Sequence, residues 1–328
     1  MKEIVKTTCE AMIYNKDKLK EVLKWEDNRI LTVCASLYVH ADKSVNVSRV
    51  ENCKKQIKSM ASVFSEIRGM ALSVITCMID IRGGEPEQFD QLMTAYKTLR
   101  KEFHPSPLLA IGAEILAERY EPDQYLAVTE KAKTLYKIMQ KNHPFVTGAD
   151  DYLMCILLAQ AEKNETTIGS EVETCFAEVK KLGLKGGSNA LQSVSCALSL
   201  YEESVESKSQ KLVSLYDEIR KHHMKYDKTY GLPMLVVLSQ LDVSREELCS
   251  DLSDVNEWLK NKKEFRMLMG ESIRMMYAAL LVSQSYSRDQ NASTSVAGSV
   301  IAAMIAEQVA MVACIAAASS ASASSEAN

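Results

Sequence analysis

An aromatic residue returns every forty positions through the middle of this chain, at Tyr96, Tyr136, Phe176 and Tyr216. Each is followed three residues later by an aliphatic side chain and then by basic ones, as in Tyr136-Lys137-Ile138-Met139-Gln140-Lys141. A looser fifth copy starts at Trp258 and closes on Lys262-Lys263. A second landmark keeps the same period: Leu116, Leu158, Leu198, Leu238 and Leu280 lie in apolar runs and step by 42, 40, 40 and 42. Two landmarks on one period make coincidence a poor explanation, and a period of this length marks a supersecondary unit used several times over.

Within one unit the aromatic segment has the spacing of an amphipathic helix, and the apolar run after it reads as a second, more buried helix. Residues 46–83 follow the same plan with Gln56 in the aromatic's place, and residues 1–41 read as an opening hairpin. One such hairpin buries no core by itself, whereas a stack of them does. The expected fold is therefore all-α, with tandem helical hairpins of about forty residues stacked as an α/α superhelix, either an open solenoid or a closed ring. Only 12 Gly and 6 Pro occur in 328 residues, so long helices meet few interruptions. Helix stops and turns are expected at Gly83-Gly84-Glu85-Pro86, at Glu121-Pro122-Asp123 and at Gly183 with Gly186-Gly187. Thr147-Gly148-Ala149-Asp150 matches a capping box, with Thr147 the cap and Asp150 completing it. Three regions follow: an N-terminal hairpin over 1–45, hairpin repeats over 46–284, and an Ala-rich C-terminal helix with a flexible tail over 285–328.

Val296 to Ala318 is 23 residues dominated by Ala, Val, Ile and Met. That is long enough to span a bilayer, but Glu307 stands at its centre, and a central acidic group costs roughly 2.5 to 3.5 kcal/mol on insertion. A helix covered by protein, in cis or by a partner, is expected instead.

The net charge of −4 argues against a surface that tracks nucleic acid over its whole length. The nine cysteines come no closer in sequence than the nineteen positions between Cys34 and Cys53, and no chelating or Cys-x-x-Cys spacing occurs. The first residues, Met1 to Lys6, lack the apolar run of a signal peptide. A cytoplasmic protein with reduced, buried thiols is expected, since Cys77, Cys155 and Cys196 fall in apolar helical runs. No cofactor is expected. The glycines between Gly183 and Ser188 have no strand before them and no Gly-Lys-Ser/Thr after them, so a helix end followed by a helix start accounts for them better than a phosphate loop.

The densest polar cluster is His143-Pro144-Phe145-Val146-Thr147-Gly148-Ala149-Asp150-Asp151-Tyr152. With Phe64-Ser65-Glu66-Ile67-Arg68-Gly69, Lys185-Gly186 before Asn189-Ala190-Leu191-Gln192, and the Ala-rich end, it resembles an uncharacterised bacterial family, a domain of unknown function, over essentially the whole chain. The resemblance implies an all-helical, cytoplasmic, bacterial protein and no particular activity.

Two surfaces are candidates for function. The first is a loop rim holding Arg68, His104, His143, Asp151, Lys185 and Tyr230, where His143 and Asp151 would serve as partners in acid–base work. Helix ends also explain most of it: His143 suits a helix C-terminus, Pro144 stops the helix and Thr147 caps the next, which leaves Asp151 unexplained. His104, His143 and His223 recur at nearly one place per repeat. Neighbouring hairpins pack about 8 to 10 Å apart and zinc ligands lie about 2 Å from the ion, so no shared metal is expected. The second surface is a basic edge of Arg100, Lys101, Lys141, Lys180, Lys181, Arg220 and Lys221 at the ends of successive first helices. Compensation of the helix dipole explains such residues, and so does an anion-binding edge.

A non-enzymatic interaction scaffold fits these observations best, with a protein partner or self-association through the C-terminal apolar helix. An enzyme with a rim pocket around His143 and Asp151 is the alternative, and a nucleic-acid-binding helical repeat is a third reading. Nucleic acid and a membrane surface are ranked below a protein partner.

Overall fold

Short polar side chains mark where the helices begin. Asn46, Asn164, Ser204 and Ser244 accept from the backbone N–H groups of Arg49, Thr167, Ser207 and Glu247, at 3.0, 2.8, 3.2 and 3.2 Å. Each thereby satisfies one of the donors that a helix start leaves unpaired. Asn164, Ser204 and Ser244 are forty residues apart, a third landmark of the period that the aromatics and leucines do not reveal.

Helix ends are equally regular. Gly183 turns with φ +85°, and Leu184 N–H reaches back to Val179 O at 3.0 Å. Forty residues on, His223 takes the same left-handed conformation at φ +53°, and Met224 N–H reaches Ile219 O at 3.2 Å. Asp42 (φ +52°) and Gly83 (φ +125°) form a second such pair, with Lys43 N–H on Tyr38 O at 2.9 Å and Gly84 N–H on Ile79 O at 3.0 Å.

The computed structural model describes residues 1–62, 65–228, 231–268 and 270–289. Among the described residues the chain is all-helical, with fifteen α-helices, two short 3-10 turns and no strand. It forms two compact units, one of residues 12–133 and one of residues 1–11 with 134–289, and the division falls inside α1 (Glu3–Val22) and α7 (Tyr125–Asn142).

The unit of residues 12–133 holds α2 (Asn28–His40), α3 (Val47–Met60), α4 (Leu72–Arg82), α5 (Pro86–Leu99) and α6 (Pro107–Arg119). Here α3 pairs with α4 and α5 with α6, while α2, α4 and α6 pack in sequence. The other unit holds α8 (Tyr152–Ala159), α9 (Glu165–Lys181), α10 (Ser188–Ser199), α11 (Val205–Lys221), α12 (Leu232–Gln240), α13 (Arg245–Lys260), α14 (Lys263–Leu268) and α15 (Glu271–Asp289). In it α9 pairs with α10, α11 with α12 and α13 with α15. First helices also touch first helices, α9 to α11 to α13, and second helices touch second helices, α10 to α12 to α15.

Burial follows the two sequence patterns. Every residue from Leu108 to Ala117 in α6 and from Tyr152 to Ala159 in α8 is buried, whereas α5 buries one stripe of Phe89, Leu92, Ala95, Tyr96 and Leu99. The eight described cysteines are all buried, and none of them is in a disulfide. The apolar segment 296–318 lies outside the described residues, and no described helix is long and apolar enough to cross a membrane.

Polar contacts tie neighbouring helices together inside each unit. Asp80, fully buried, accepts from Tyr38 Oη at 2.7 Å and from Arg49 Nε at 2.6 Å. Arg82 donates to Glu114 at 2.8 Å and to Gln91 at 3.0 Å. Glu171 binds both Lys163 at 2.7 Å and the fully buried Lys208 at 2.5 Å, and Asp251 accepts from Tyr286 Oη at 2.7 Å. Arg49, Gln91, Glu171 and Asp251 stand 42, 80 and 80 residues apart, so one register position of the first helices supplies a partner each time.

Candidate functional site

The rim residues of unit 134–289 are built around one turn. Helix α7 ends at Asn142, and Val146 N–H and Thr147 N–H both return to His143 O at 3.0 Å, folding His143-Pro144-Phe145-Val146 into a closed turn. Proline suits the second position of such a turn because its ring fixes φ. A 3-10 turn, Ala149–Asp151, then leads into α8.

That extra turn moves the capping box by one residue. Gly148 N–H donates to Asp151 Oδ2 at 2.8 Å and Asp151 N–H returns to Gly148 O at 3.1 Å, so Gly148 and Asp151 hold the places expected of Thr147 and Asp150. Thr147 instead donates from Oγ1 to Gln192 Oε1 at 3.3 Å, and Gln192 Nε2 donates to Asp151 Oδ1 at 2.9 Å. Asp151, which no helix-end role accounted for, is therefore the residue that joins the turn to α10. Burial pushes its carboxyl above the ordinary range, opposed by the hydrogen bonds from Gly148 and Gln192.

His143 is held by a separate set. Its Nε2 lies 3.0 Å from Glu173 Oε2, and its ring packs on Phe176 with centroids 4.6 Å apart. His143 and Asp151 are thus braces on opposite sides of one turn, each with its own partner on the next hairpin, and not a joined acid–base pair. Sequence alone does not single out Glu173, Phe176 or Gln192 as their partners. Phe176 carried a signal as one of the forty-residue aromatics, but Gln192 lies 41 residues from Asp151 and carried none.

The other rim residues are less engaged. Lys185 is exposed between α9 and α10. Arg68 sits on a 3-10 turn, Glu66–Arg68, and His104 is exposed between α5 and α6, both in unit 12–133. Tyr230 lies outside the described residues.

Much of the basic edge is neutralised by its own helices. Lys181 pairs with Glu178 at 2.9 Å, Lys221 with Glu218 at 2.7 Å and Arg220 with Asp217 at 3.4 Å, each one turn back. Arg220 also lies over the Tyr216 ring at 5.9 Å, and Arg100 donates to Phe103 O beyond its helix end. Lys101, Lys141 and Lys180 are exposed, and among the described residues no carboxylate pairs with them. Among the described residues no three His, Cys, Asp or Glu side chains gather as a metal site would require.

The fold and this rim define an all-helical protein whose polar loop residues are largely occupied in holding its turns. Residues 13–310 match the family described as a protein of unknown function, DUF4003, and the chain belongs to that family. It is also 24% identical over 234 residues to the uncharacterized protein YeaA of Bacillus subtilis (strain 168), covering 69% of this chain and 70% of that protein. No solved structure matches the chain.

Proposed function

We propose that this protein is a non-catalytic helical-repeat scaffold, an α/α superhelix whose basic edge binds an acidic protein partner in the reducing cytoplasm. The observation that carries the reading is the exposure of Lys101, Lys141 and Lys180 at first-helix ends with no carboxylate partner among the described residues, where helix-dipole compensation alone leaves their charge facing water. The like-with-like helix contacts within each unit support the superhelix, as the forty-residue period requires. Eight buried thiols, none in a disulfide, support the reducing compartment. Asp151, whose two oxygens are both engaged in bracing, supports a structural over a catalytic rim.

The test is capture from a lysate of the source bacterium by wild type and by a Lys101→Glu, Lys141→Glu, Lys180→Glu variant. One stoichiometric protein held by the wild type, released by salt and lost in the variant is the expected result. Identical captures by the two would discard the basic edge as the binding surface.

A further inference from the structure

Phe145 is 99% exposed. It stands at the third position of the closed turn that begins at His143, where Val146 N–H returns to His143 O at 3.0 Å. The turn lies wholly within the unit that holds residues 134–289, and it is braced on both flanks. On one flank His143 meets Glu173 and packs on Phe176; on the other, Thr147 and Asp151 meet Gln192. A large ring in water is unfavourable, and a turn held on two sides is not free to fold back over its own ring without breaking those contacts.

The unpaired charges around the turn are mostly positive. Lys137 and Lys141 lie one helical turn apart on α7, and Lys141 precedes Phe145 by about another turn. Lys180 lies one turn beyond Phe176 on the same face of α9, and Lys185 follows in the loop between α9 and α10. All four are exposed, and among the described residues no carboxylate pairs with them. The acids nearby are mostly engaged: Glu173 by His143, Asp151 by Gly148 and Gln192, and Glu178 by Lys181. Asp150 is exposed and opposes the lysines from one side.

A single ring gives too little apolar area to hold a protein at a bilayer, where attachment takes an amphipathic helix or more than one anchoring group. One ring is enough for one side chain of a peptide to stack on, and lysines on several sides of it suit carboxylates on either side of that residue. We infer that the Phe145 turn receives an acidic segment of a partner protein that carries one large apolar side chain, which seats on the ring while flanking carboxylates meet Lys141, Lys180 and Lys185. The inference rests on the reading of the basic edge as a protein-binding surface and adds the chemistry of what binds there, negative charge interrupted by one apolar residue. Asp150 weakens the attachment and adds to its dependence on salt.

The probes are two short fluorescein-labelled peptides, one of glutamates with a single central tryptophan and one of glutamates throughout, titrated with the full chain and read by anisotropy. The tryptophan peptide should bind about tenfold more tightly than the other. Phe145→Ser should remove that preference and leave the all-glutamate affinity unchanged, whereas Lys141→Gln combined with Lys180→Gln should weaken both peptides and flatten their salt dependence. Asp150→Asn should tighten both. Phe145→Ser should melt with the wild type, because the ring lies outside the core. Equal affinities for the two peptides, or a preference that survives Phe145→Ser, would overturn the inference and leave the basic-edge reading standing. Binding of neither peptide would overturn both. Sedimentation with phosphatidylglycerol vesicles that depends on Phe145, with no such dependence for the peptides, would assign the ring to a membrane and equally defeat the inference.

Discussion

At the scale of single residues, Glu114 carries a carboxyl strongly perturbed by its surroundings. It is fully buried, and burial pushes its carboxyl up to about 8 despite the Arg82 guanidinium at 2.8 Å. Its second oxygen, Oε2, has no hydrogen-bond partner, which suits a protonated acid better than a full carboxylate. Unfolded, the group loses its proton near 4.5, so between 4.5 and about 8 the unfolded chain binds fewer protons and stability falls as pH rises. Below that window the contribution is fully present. Denaturant titrations across it should show a slope of about 1.4 kcal/mol per pH unit from this group, and Glu114→Gln should flatten the profile. An unchanged profile would mean that Arg82 keeps the acid ionised. Asp151→Ala should lower stability by about 1 to 2 kcal/mol, because Gly148 N–H and Gln192 Nε2 lose their acceptor at a half-buried site; thermal melting would measure it. Asp151 also marks how far the sequence could be read. Its place beside a helix start was legible, but the one-residue shift of the cap depends on a 3-10 turn whose hydrogen bonds have no compositional signature.

At the scale of helices and turns, Gly183 and His223 perform one task with different residues. Each takes a left-handed conformation just past a first helix, and only glycine does so without a Cβ penalty. Gly183→Ala should lower the melting temperature, with a loss of about 1 kcal/mol, since nothing lies near its Cβ and backbone conformation alone is at stake. His223→Gly should give a gain of similar size, about 0.5 to 1 kcal/mol. Opposite signs in parallel melts are the expected pattern. The helices themselves were legible because apolar spacing and turn residues agree, from Pro86 opening α5 to Gly83 and Gly84 closing α4. What joins them was less so. The polar partners at 49, 91, 171 and 251 are Arg, Gln, Glu and Asp, which share a position but not a residue type, and a period sought in like residues passes over them.

At the scale of the molecule, the thiols report on integrity. All eight described cysteines are buried, and burial raises Cys53, Cys175 and Cys249 to about 11, far above the pH at which a thiol reagent is used. These thiols should stay unreactive in the native protein and titrate together once denaturant unfolds it; rapid native labelling of any of them would show local opening in its helix pair. Glu171 has a consequence of another kind. It holds Lys163 at the loop before its own helix and Lys208 on the next hairpin, so it works as a rivet between consecutive links of a chain. Stretched from its two ends, the protein should come apart one hairpin at a time, each release adding roughly 14 nm of contour length. The link fastened by that rivet should hold to the highest force, a mechanical strength set by one carboxylate gripping in two directions.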